Sequence, residues 1–585
     1  MIKVDHLSYS YPQKDLFHDI TFTLEDGQHC AFIGVSGSGK STLVDLIIDP
    51  EKYMYEGSLE KESNCKIGYV NQFSDAQKTP DMTVFEYIGE ECIKLQNEIT
   101  SICTEMETAT ELDALLERYQ ETLDAYEALG GDDFESLIDK KLYLADLTKL
   151  RDLPISALSG GEFKLVQVIK EMLNKPSLMI MDEPDVFLDF ENLNSLRNLI
   201  NAHKGTLLVI THNRYLLNNC FNKILHLENM ELQEFDGTYV EYNYSLLERK
   251  IELQELAQAD TEEIERNEAL IDRLRKAATA YDDAARGKSL KARIKIQERL
   301  EARRIKAPFV EIKQPAITLS TNKPLEDETA LKVNNYHIAF DETLLENVTF
   351  EIGSTDKVAL IGENGTGKTT LLREIFKQQR DCIEVNENIE MAYVSQLQNE
   401  MLNEEHTITE EFLALGFETP SEIEAYLAKY NFHEDMMNQK ISSLSGGEKN
   451  ILQLAKIALG EANMLLLDEP TSHLDTYAQV ALEEAIKAYN GAILMISHDF
   501  YSIANCMDYV LLIEDKTIRR MSIRKFRKMI YARHFDKDYL EIEQKKKEVE
   551  LKIARALKDN NFTLAKTLFE ELEPLIKLLS SVPKK

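Results

Sequence analysis

Short apolar runs closed by a charged residue punctuate this 585-residue chain. The run at 178–181 (LMIM) ends on Asp182 and the run at 464–467 (MLLL) ends on Asp468; after each, a second apolar stretch leads to a histidine, His212 or His498. Runs that do not alternate predict strands buried on both faces, as in a parallel sheet covered by helices. Three other stretches carry a helical pattern. Residues 92–132 lack proline and, until their end, glycine, which predicts a helical hairpin. Residues 244–307 contain no proline and one glycine, Gly287, with Leu247, Ile251, Ile264, Ile271 and Leu274 at mainly helical spacings. Two long helices broken near Tyr281–Gly287 are expected there. Pro308, Pro315 and Pro324 then mark an extended lead, and residues 537–580 read as a charged helical pair interrupted near Asp559–Asn561.

The apolar runs belong to a repeat. Gly34–Thr42 (GVSGSGKST) and Gly362–Thr370 (GENGTGKTT) each match the G-x-x-x-x-G-K-[ST] pattern of a phosphate-binding loop. Each is followed by LSGGE (Leu158–Glu162, Leu444–Glu448), then by the apolar run ending in DEP, then by the histidine. From Ser159 to Asp182 and from Ser445 to Asp468 is 23 positions; from each aspartate to its histidine is 30. Four motifs in one order at equal spacings mark a tandem duplication of one α/β nucleotide-binding domain. The copies differ earlier. Lys40 to Ser159 spans 119 positions and Lys368 to Ser445 spans 77; with Gln72 and Gln396 taken as equivalent, about 38 extra residues fall after them, in the hairpin. The expected domains are residues 1–243 with the hairpin inserted, 244–307, 308–535 and 536–585.

The motifs carry phosphate chemistry. Gly34, Gly37, Gly39 and Gly362, Gly365, Gly367 let backbone N–H groups approach an anion closely at a helix N-terminus. Lys40 and Lys368 reach the β- and γ-oxygens, while Ser41 and Thr369, followed by Thr42 and Thr370, supply hydroxyls for Mg²⁺. Asp182 and Asp468 emerge at strand ends, where α/β sheets place ligands, and complete the metal shell. Glu183 and Glu469 are the candidates to polarise an attacking water, steadied by His212 and His498. Gln72 and Gln396 would complete the metal and water shell.

Composition narrows the partners. Lys plus Arg is 67 against Asp plus Glu 102, a net charge of −35, so a polyanion must be met locally rather than coated. Residues 266–306 hold 13 basic and 6 acidic residues, and Lys516–Arg533 holds eight basic residues and no acid. Residues 81–139 hold 17 acidic residues against Lys94 and Arg118. The seven cysteines are far apart with no CxxC pair, which argues against a disulfide framework or a zinc site. No apolar run approaches a membrane span and the opening MIKVDHLSYSYPQ has no long apolar core, so a cytoplasmic protein is expected.

Together the motifs resemble the ATP-binding cassette superfamily, over roughly 450 residues as judged by domain length. The resemblance implies two tandem P-loop cassettes pairing head to tail, each ATP held between the loop of one and the LSGGE of the other. Site one would use Tyr11, Lys40, Ser41, Gln72, Asp182, Glu183 and His212 with Ser445, Gly446 and Gly447. Site two would use Phe340, Lys368, Thr369, Gln396, Asp468, Glu469 and His498 with Ser159, Gly160 and Gly161. Tyr11 and Phe340 stand where the family stacks an aromatic ring on adenine.

Soluble tandem cassettes, with DEPTSHLD at Asp468–Asp475, look like the ABC-F branch, whose members mostly act on ribosomes. By that resemblance the hairpin is the arm, and the segment 244–307 is the linker that reaches towards peptidyl-tRNA from the ribosomal E site. The reading implies an ATPase using ATP and Mg²⁺, monomeric with an intramolecular cassette pair, and without a membrane segment or DNA partner. Its basic linker would meet rRNA and tRNA, its acidic arm a ribosomal protein, and an antibiotic-resistance role is compatible with it. The alternatives are a transport ATPase docked on separate membrane subunits and a DNA-repair or chromosome ATPase. The first copy departs from the pattern: DEPDVFLD puts Asp185 and Phe187 where Thr and His are expected, and Asn213 replaces the acid after His212. A carboxylate near the γ-phosphate would repel developing charge, so site one is expected to hydrolyse more slowly.

Overall fold

A computed structural model describes residues 2–11, 14–62, 65–71, 82–108, 112–186, 188–280, 293–297, 315–321, 323, 328–340, 343–395, 401–534 and 537–581. Two compact units result: Met1–Asp236 with Lys313–Ile530, and Gly237–Ile312 with Tyr531–Lys585.

The first unit contains both cassettes. In the first, the strands run Ile67–Val70, Leu178–Asp182, Thr206–Ile210, His29–Gly34, Lys223–Glu228 and Glu231–Asp236 across one sheet. All neighbours are parallel except the last pair. The second cassette repeats the order with Met391–Val394, Met464–Asp468, Ala492–Ile496, Lys357–Ile361, Tyr509–Glu514 and Thr517–Ser522. Every residue of Leu178–Asp182, Thr206–Ile210, Met464–Asp468 and Ala492–Ile496 is buried, which is why those runs do not alternate. A three-stranded antiparallel sheet flanks each large sheet, centred on Ile2–Tyr11 in one copy and Thr329–Ala339 in the other. One hydrophobic core per cassette fills the space between them, including Phe17, Phe22 and Phe32 in the first and Tyr336, Leu360 and Leu494 in the second. Because the strands are parallel, the phosphate-binding loop, the Asp–Glu pair and the histidine of each cassette follow their strands at the same end of its sheet.

The insertion folds as helices Glu90–Thr108 and Asp113–Leu129, joined through Ile102 and Thr122 in the seam and an Arg118–Glu98 ion pair of 2.8 Å. The basic run is divided between the strand Thr517–Ser522 and the helix Ile523–His534. There Arg520 lies 3.7 Å from the ring centroid of Tyr509, Arg519 pairs with Glu514, and Arg527 donates to the Ala504 carbonyl. Those three are engaged within their own cassette, although Arg519 and Arg520 stay exposed, as do Lys516, Arg524, Lys525 and Lys528.

In the second unit, helix Tyr239–Ala280 packs against helix Phe562–Ser581, which in turn pairs with helix Lys537–Lys558. Its 42 residues correspond to a rod of about 63 Å at 1.5 Å per residue. Tyr244 stacks on Phe569 at 4.2 Å between centroids, and Lys566 pairs with Glu255 at 2.5 Å. Asn267 donates to Gln297 at 2.7 Å, so the short helical piece at 293–297 returns along the long helix. The expected break near Tyr281–Gly287 and most of the basic cluster after it lie outside the described residues. Among the described residues no helix is long and apolar enough to cross a membrane.

Candidate functional site

Each phosphate-binding loop joins a buried strand to a helix whose N-cap is glycine. Gly39 and Gly367 take φ of 97° and 88° there, a left-handed conformation that a side chain disfavours, so the lysine helices start in the geometry an anion needs. The lysines fold back on their loops. Lys40 Nζ donates to the carbonyls of Gly34 and Val35 at 2.9 and 3.0 Å, and Lys368 Nζ to those of Gly362 and Glu363 at 2.8 and 2.7 Å. Burial pulls both lysines below their ordinary pKa, opposed by Glu183 at the first and Glu469 at the second. A phosphate would give these ammonium groups an anionic partner in place of neutral carbonyls.

The signature segments begin helices by a reciprocal cap. Ser159 accepts from the Glu162 N–H while the Glu162 carboxylate accepts from the Ser159 N–H, and Ser445 with Glu448 does the same. Such caps contribute about 1 kcal/mol each and aim the helix N-terminus at the facing loop. The pairing is head to tail. Ser159 and Gly160 line one cavity of about 440 Å³ together with Lys368, Thr369, Asp468 and Glu469. At the other junction a Cβ on Gly447 would fall 2.6 Å from Ser36 Oγ of the first loop and 2.5 Å from the His473 carbonyl of its own cassette, so both approaches exclude a side chain there.

Two aspartates stitch the pairing. Asp189 caps helix Phe190–Ala202 and its second oxygen accepts from the Asn364 N–H at 3.2 Å; Asp475 caps helix Thr476–Ala488 and accepts from the Ser36 N–H at 3.2 Å. Gln479 also reaches the His212 carbonyl at 3.4 Å. Next to the switch histidines lies a buried ion cluster across the same junction. Arg214 donates to Asp499 at 2.7 Å and to Glu483, and its guanidinium lies 4.9 Å from the Tyr501 ring centroid.

The acidic residues differ between sites. At site two, Thr369 Oγ1 donates to Asp468 at 3.2 Å and Tyr393 Oη to the other Asp468 oxygen at 3.3 Å. Burial raises Asp468 above its ordinary pKa, and burial with the adjacent Glu183 charge raises Asp182 to about 6, held back by a Ser41 hydrogen bond. Glu183 and Glu469 both hold left-handed backbones, φ 44° and 50°, pinned by N–H bonds of 2.9 Å to Ile210 and Ile496. Glu469 accepts from the His498 N–H at 3.3 Å and lies 3.5 Å from His498 Nε2; burial and the Asp468 charge push it up to about 8. Burial pushes Glu183 up too, but a hydrogen bond with His473 of the second cassette at 3.1 Å, with the charges of His212, His473 and Lys40, outweighs it and holds the carboxyl below its ordinary value. Burial, with Lys40 and Lys368 adding to it, lowers His212 to about 4 and His498 to about 3, so both imidazoles are neutral near pH 7.

Asp185 accepts from the Thr211 hydroxyl at 2.6 Å, and burial with Glu183 nearby raises it to about 6. Tyr11 and Phe340 are 45% and 69% exposed, so neither ring belongs to the core. Gln72, Gln396 and Phe187 lie outside the described residues. His473, Asp189, Asp475 and Arg214 had no assigned role in the sequence reading. The first three stand in the segments after DEP, whose equal position in both copies is the signal for them.

The ABC transporter family matches the chain at residues 17–186 and 345–472, about half its length, and a second ABC transporter segment matches 225–319. The ABC transporter ATP-binding protein YfmM of Bacillus subtilis is 30% identical over 533 residues, covering 86% of this chain and 96% of that protein. The energy-dependent translational throttle protein EttA of Haemophilus influenzae is 29% identical over 517 residues, covering 86% and 89%. A structure described as ribosome-bound archaeal Pelota and ABCE1 shares the fold, with a TM-score of 0.53 at 17% identity, covering 90% of this chain and 80% of that one.

Proposed function

The chain belongs to the ABC transporter family as an ABC-F type ATPase with two cassettes, and from that premise we propose that it is a ribosome-associated translation factor. The observation that carries the ATPase half is the composite cavity, in which Ser159 and Gly160 face the Lys368 loop of the other cassette. The translation half is supported by the throttle protein EttA, alike over most of both chains, and by the basic stretch at residues 266–306 between two acidic cassettes.

In this reading Lys40 and Lys368 leave their loop carbonyls for the β/γ-phosphates, and Ser159 and Ser445 close on the γ-phosphate from across the junction. Tyr11 and Phe340 offer exposed rings to adenine. Glu183 accepts a proton from the attacking water, and Glu469 would do so once a bound cation offset the Asp468 charge that helps keep it protonated, while His212 and His498, neutral, hold the water's position. Ser41 with Asp182 and Thr369 with Asp468 form hard-oxygen pairs. Among the described residues no cluster of three His, Cys, Asp or Glu could hold an ion alone, which suits Mg²⁺, whose shell is mostly phosphate and water. When bound, Mg²⁺ neutralises charge on the transferred phosphoryl group.

The four segments 1–243, 244–307, 308–535 and 536–585 then divide the work in a cytoplasmic monomer. ATP closes the cassettes, the linker engages rRNA and tRNA, and hydrolysis reopens the pair. The acidic arm takes a basic ribosomal protein rather than rRNA. The test is sedimentation of the Glu183→Gln, Glu469→Gln double variant on a gradient with ATP. Co-migration with ribosomes is expected; migration with membranes, or as a free protein, would overturn the proposal. Cross-links from the arm mainly to rRNA would overturn its last part.

A further inference from the structure

We infer that His473 of the second cassette is a positioning residue for Glu183 at site one, and that site two has no counterpart of it. The inference rests on the reading of Glu183 as the residue that polarises water. A strained backbone and three contacts fix this histidine. Its backbone is left-handed at φ 61°. Its ring lies on Gly446, where a Cβ would come within 2.9 Å of the imidazole. Its carbonyl accepts from the Ser36 hydroxyl of the first cassette at 3.4 Å, and its Nδ1 lies 3.1 Å from Glu183 Oε2. An ionised carboxylate only accepts, so Nδ1 carries the proton and donates.

Glu183 is held at its backbone by its bond to Ile210. What remains is the rotation of its side chain, and the imidazole sets that rotation and so the direction in which Oε1 is presented. The donor comes from the other cassette, on the loop that also carries Asp475, the acceptor of the Ser36 N–H. Site one's carboxylate is therefore oriented from the second cassette while that loop is seated.

Site two is built otherwise. Counting from the paired aspartates, the residue equivalent to His473 is Phe187, whose phenyl ring has nothing to donate. Glu469 takes its contacts from His498 of its own cassette. The glutamate of site one is thus oriented by a residue in trans, whereas among the described residues Glu469 is met by its own cassette.

The test uses the full chain in two backgrounds: Glu469→Gln, where only site one turns over, and Glu183→Gln, where only site two does. Into each go His473→Phe, which copies the first cassette's side chain, and His473→Asn, whose amide nitrogen replaces Nδ1 as donor. In the Glu469→Gln background His473→Phe should lower kcat at least tenfold with KM for ATP within twofold, and His473→Asn should recover kcat to within about threefold, as expected of a group acting on the transition state alone. In the Glu183→Gln background the loss should be at least five times smaller. Equal losses in both backgrounds, a change confined to KM, or no rescue by Asn would overturn the inference. If Glu469→Gln is already inactive with His473 intact, the reading of Glu183 fails first and the inference falls with it.

Discussion

Replacing Arg214 by methionine would remove the cation from a cluster that spans the two cassettes. The three side chains are 14%, 6% and 16% exposed for Arg214, Glu483 and Asp499, so little water is present to compensate. The carboxylates keep other bonds, Asp499 from Ser502 at 2.6 Å and Glu483 from Asn505 at 2.9 Å, but those donors are neutral. Breaking a buried pair by deleting one partner costs about 3–5 kcal/mol, because a buried charge is left uncompensated. The cassettes can relieve that cost by separating, so it should appear as a change in closure. At about 3 kcal/mol the closed-to-open ratio falls more than a hundredfold. The assay is intramolecular energy transfer between dyes on the two cassettes, titrated with ATP in the Glu183→Gln, Glu469→Gln background, where hydrolysis does not intervene. Arg214→Met should shift the ATP midpoint strongly upward, and Arg214→Lys should fall between, since one ammonium reaches two carboxylates less well than a guanidinium. Adding Glu483→Gln and Asp499→Asn to Arg214→Met should restore most of the closure. A midpoint within twofold of the parent for Arg214→Met would refute the reasoning.

Gly447→Ala should hinder closure while ATP still binds the open cassettes, because across the junction the new Cβ would fall 2.6 Å from Ser36 Oγ and 3.2 Å from its Cβ, besides meeting the His473 carbonyl of its own cassette at 2.5 Å; unchanged energy transfer at saturating ATP would count against it. Glu469→Gln should raise thermal stability in metal-free buffer without nucleotide. The folded carboxyl titrates at about 8 against an ordinary 4.5, so the folded state binds the extra proton between those values and stability falls as pH rises through that window. At pH 7 the penalty that glutamine removes is on the order of 3 kcal/mol, or about 3 °C for a unit of this size. A melting temperature unchanged at pH 7 and pH 8 would sink this account. Glu183→Gln should show no such gain, since its carboxylate is already held low by His473. Measured separately, Glu469→Gln should remove the larger share of ATPase activity if Asp185 slows site one; equal losses would reject that asymmetry.

Much of the fold is legible in the sequence because its signals are local. A strand buried on both faces must be apolar throughout, so LMIM and MLLL announce themselves, and glycine at a left-handed N-cap marks the phosphate loops. The helices of the arm were readable from the absence of helix breakers. Which helices pack together was not: the contact of Tyr244 with Phe569 joins residues 325 positions apart and no periodicity encodes it. Charge counting likewise could not tell that Arg520 and Arg527 are spent on Tyr509 and the Ala504 carbonyl rather than offered to phosphate. At the candidate site, the loop, signature and strand-end residues follow from motif spacing. The residues that escaped notice, His473, Asp189, Asp475 and Arg214, act across the cassette junction; the three that follow DEP stand at equal positions in the two copies, but the partner each meets in trans is written in no spacing.

That distinction explains where the two copies have diverged. When two identical cassettes pair, each contact occurs twice and a residue must suit both of its reciprocal settings. Once both are on one chain, the two halves of a contact can change independently. The substitutions fall on such pairs. Arg214 stands opposite Asp499 and Glu483, whereas their equivalents by the same 286-residue offset are Phe500, Asn213 and Arg197. Arg197 turns to Tyr215 of its own cassette at 2.9 Å. The His473–Glu183 bond likewise has Phe187 and Glu469 as its shadow. Within a cassette the catalytic positions are duplicated faithfully: lysine, aspartate, glutamate and histidine recur in both. Chemistry common to both sites therefore constrains the interior of each cassette, while at the junction the aspartate contacts of Asp189 and Asp475 are kept in both copies and the Arg214 cluster and the His473–Glu183 bond have become one-sided. A difference in behaviour between the sites should accordingly trace to junction residues, and exchanging His473 with Phe187 should move the dependence on the opposite cassette from site one to site two.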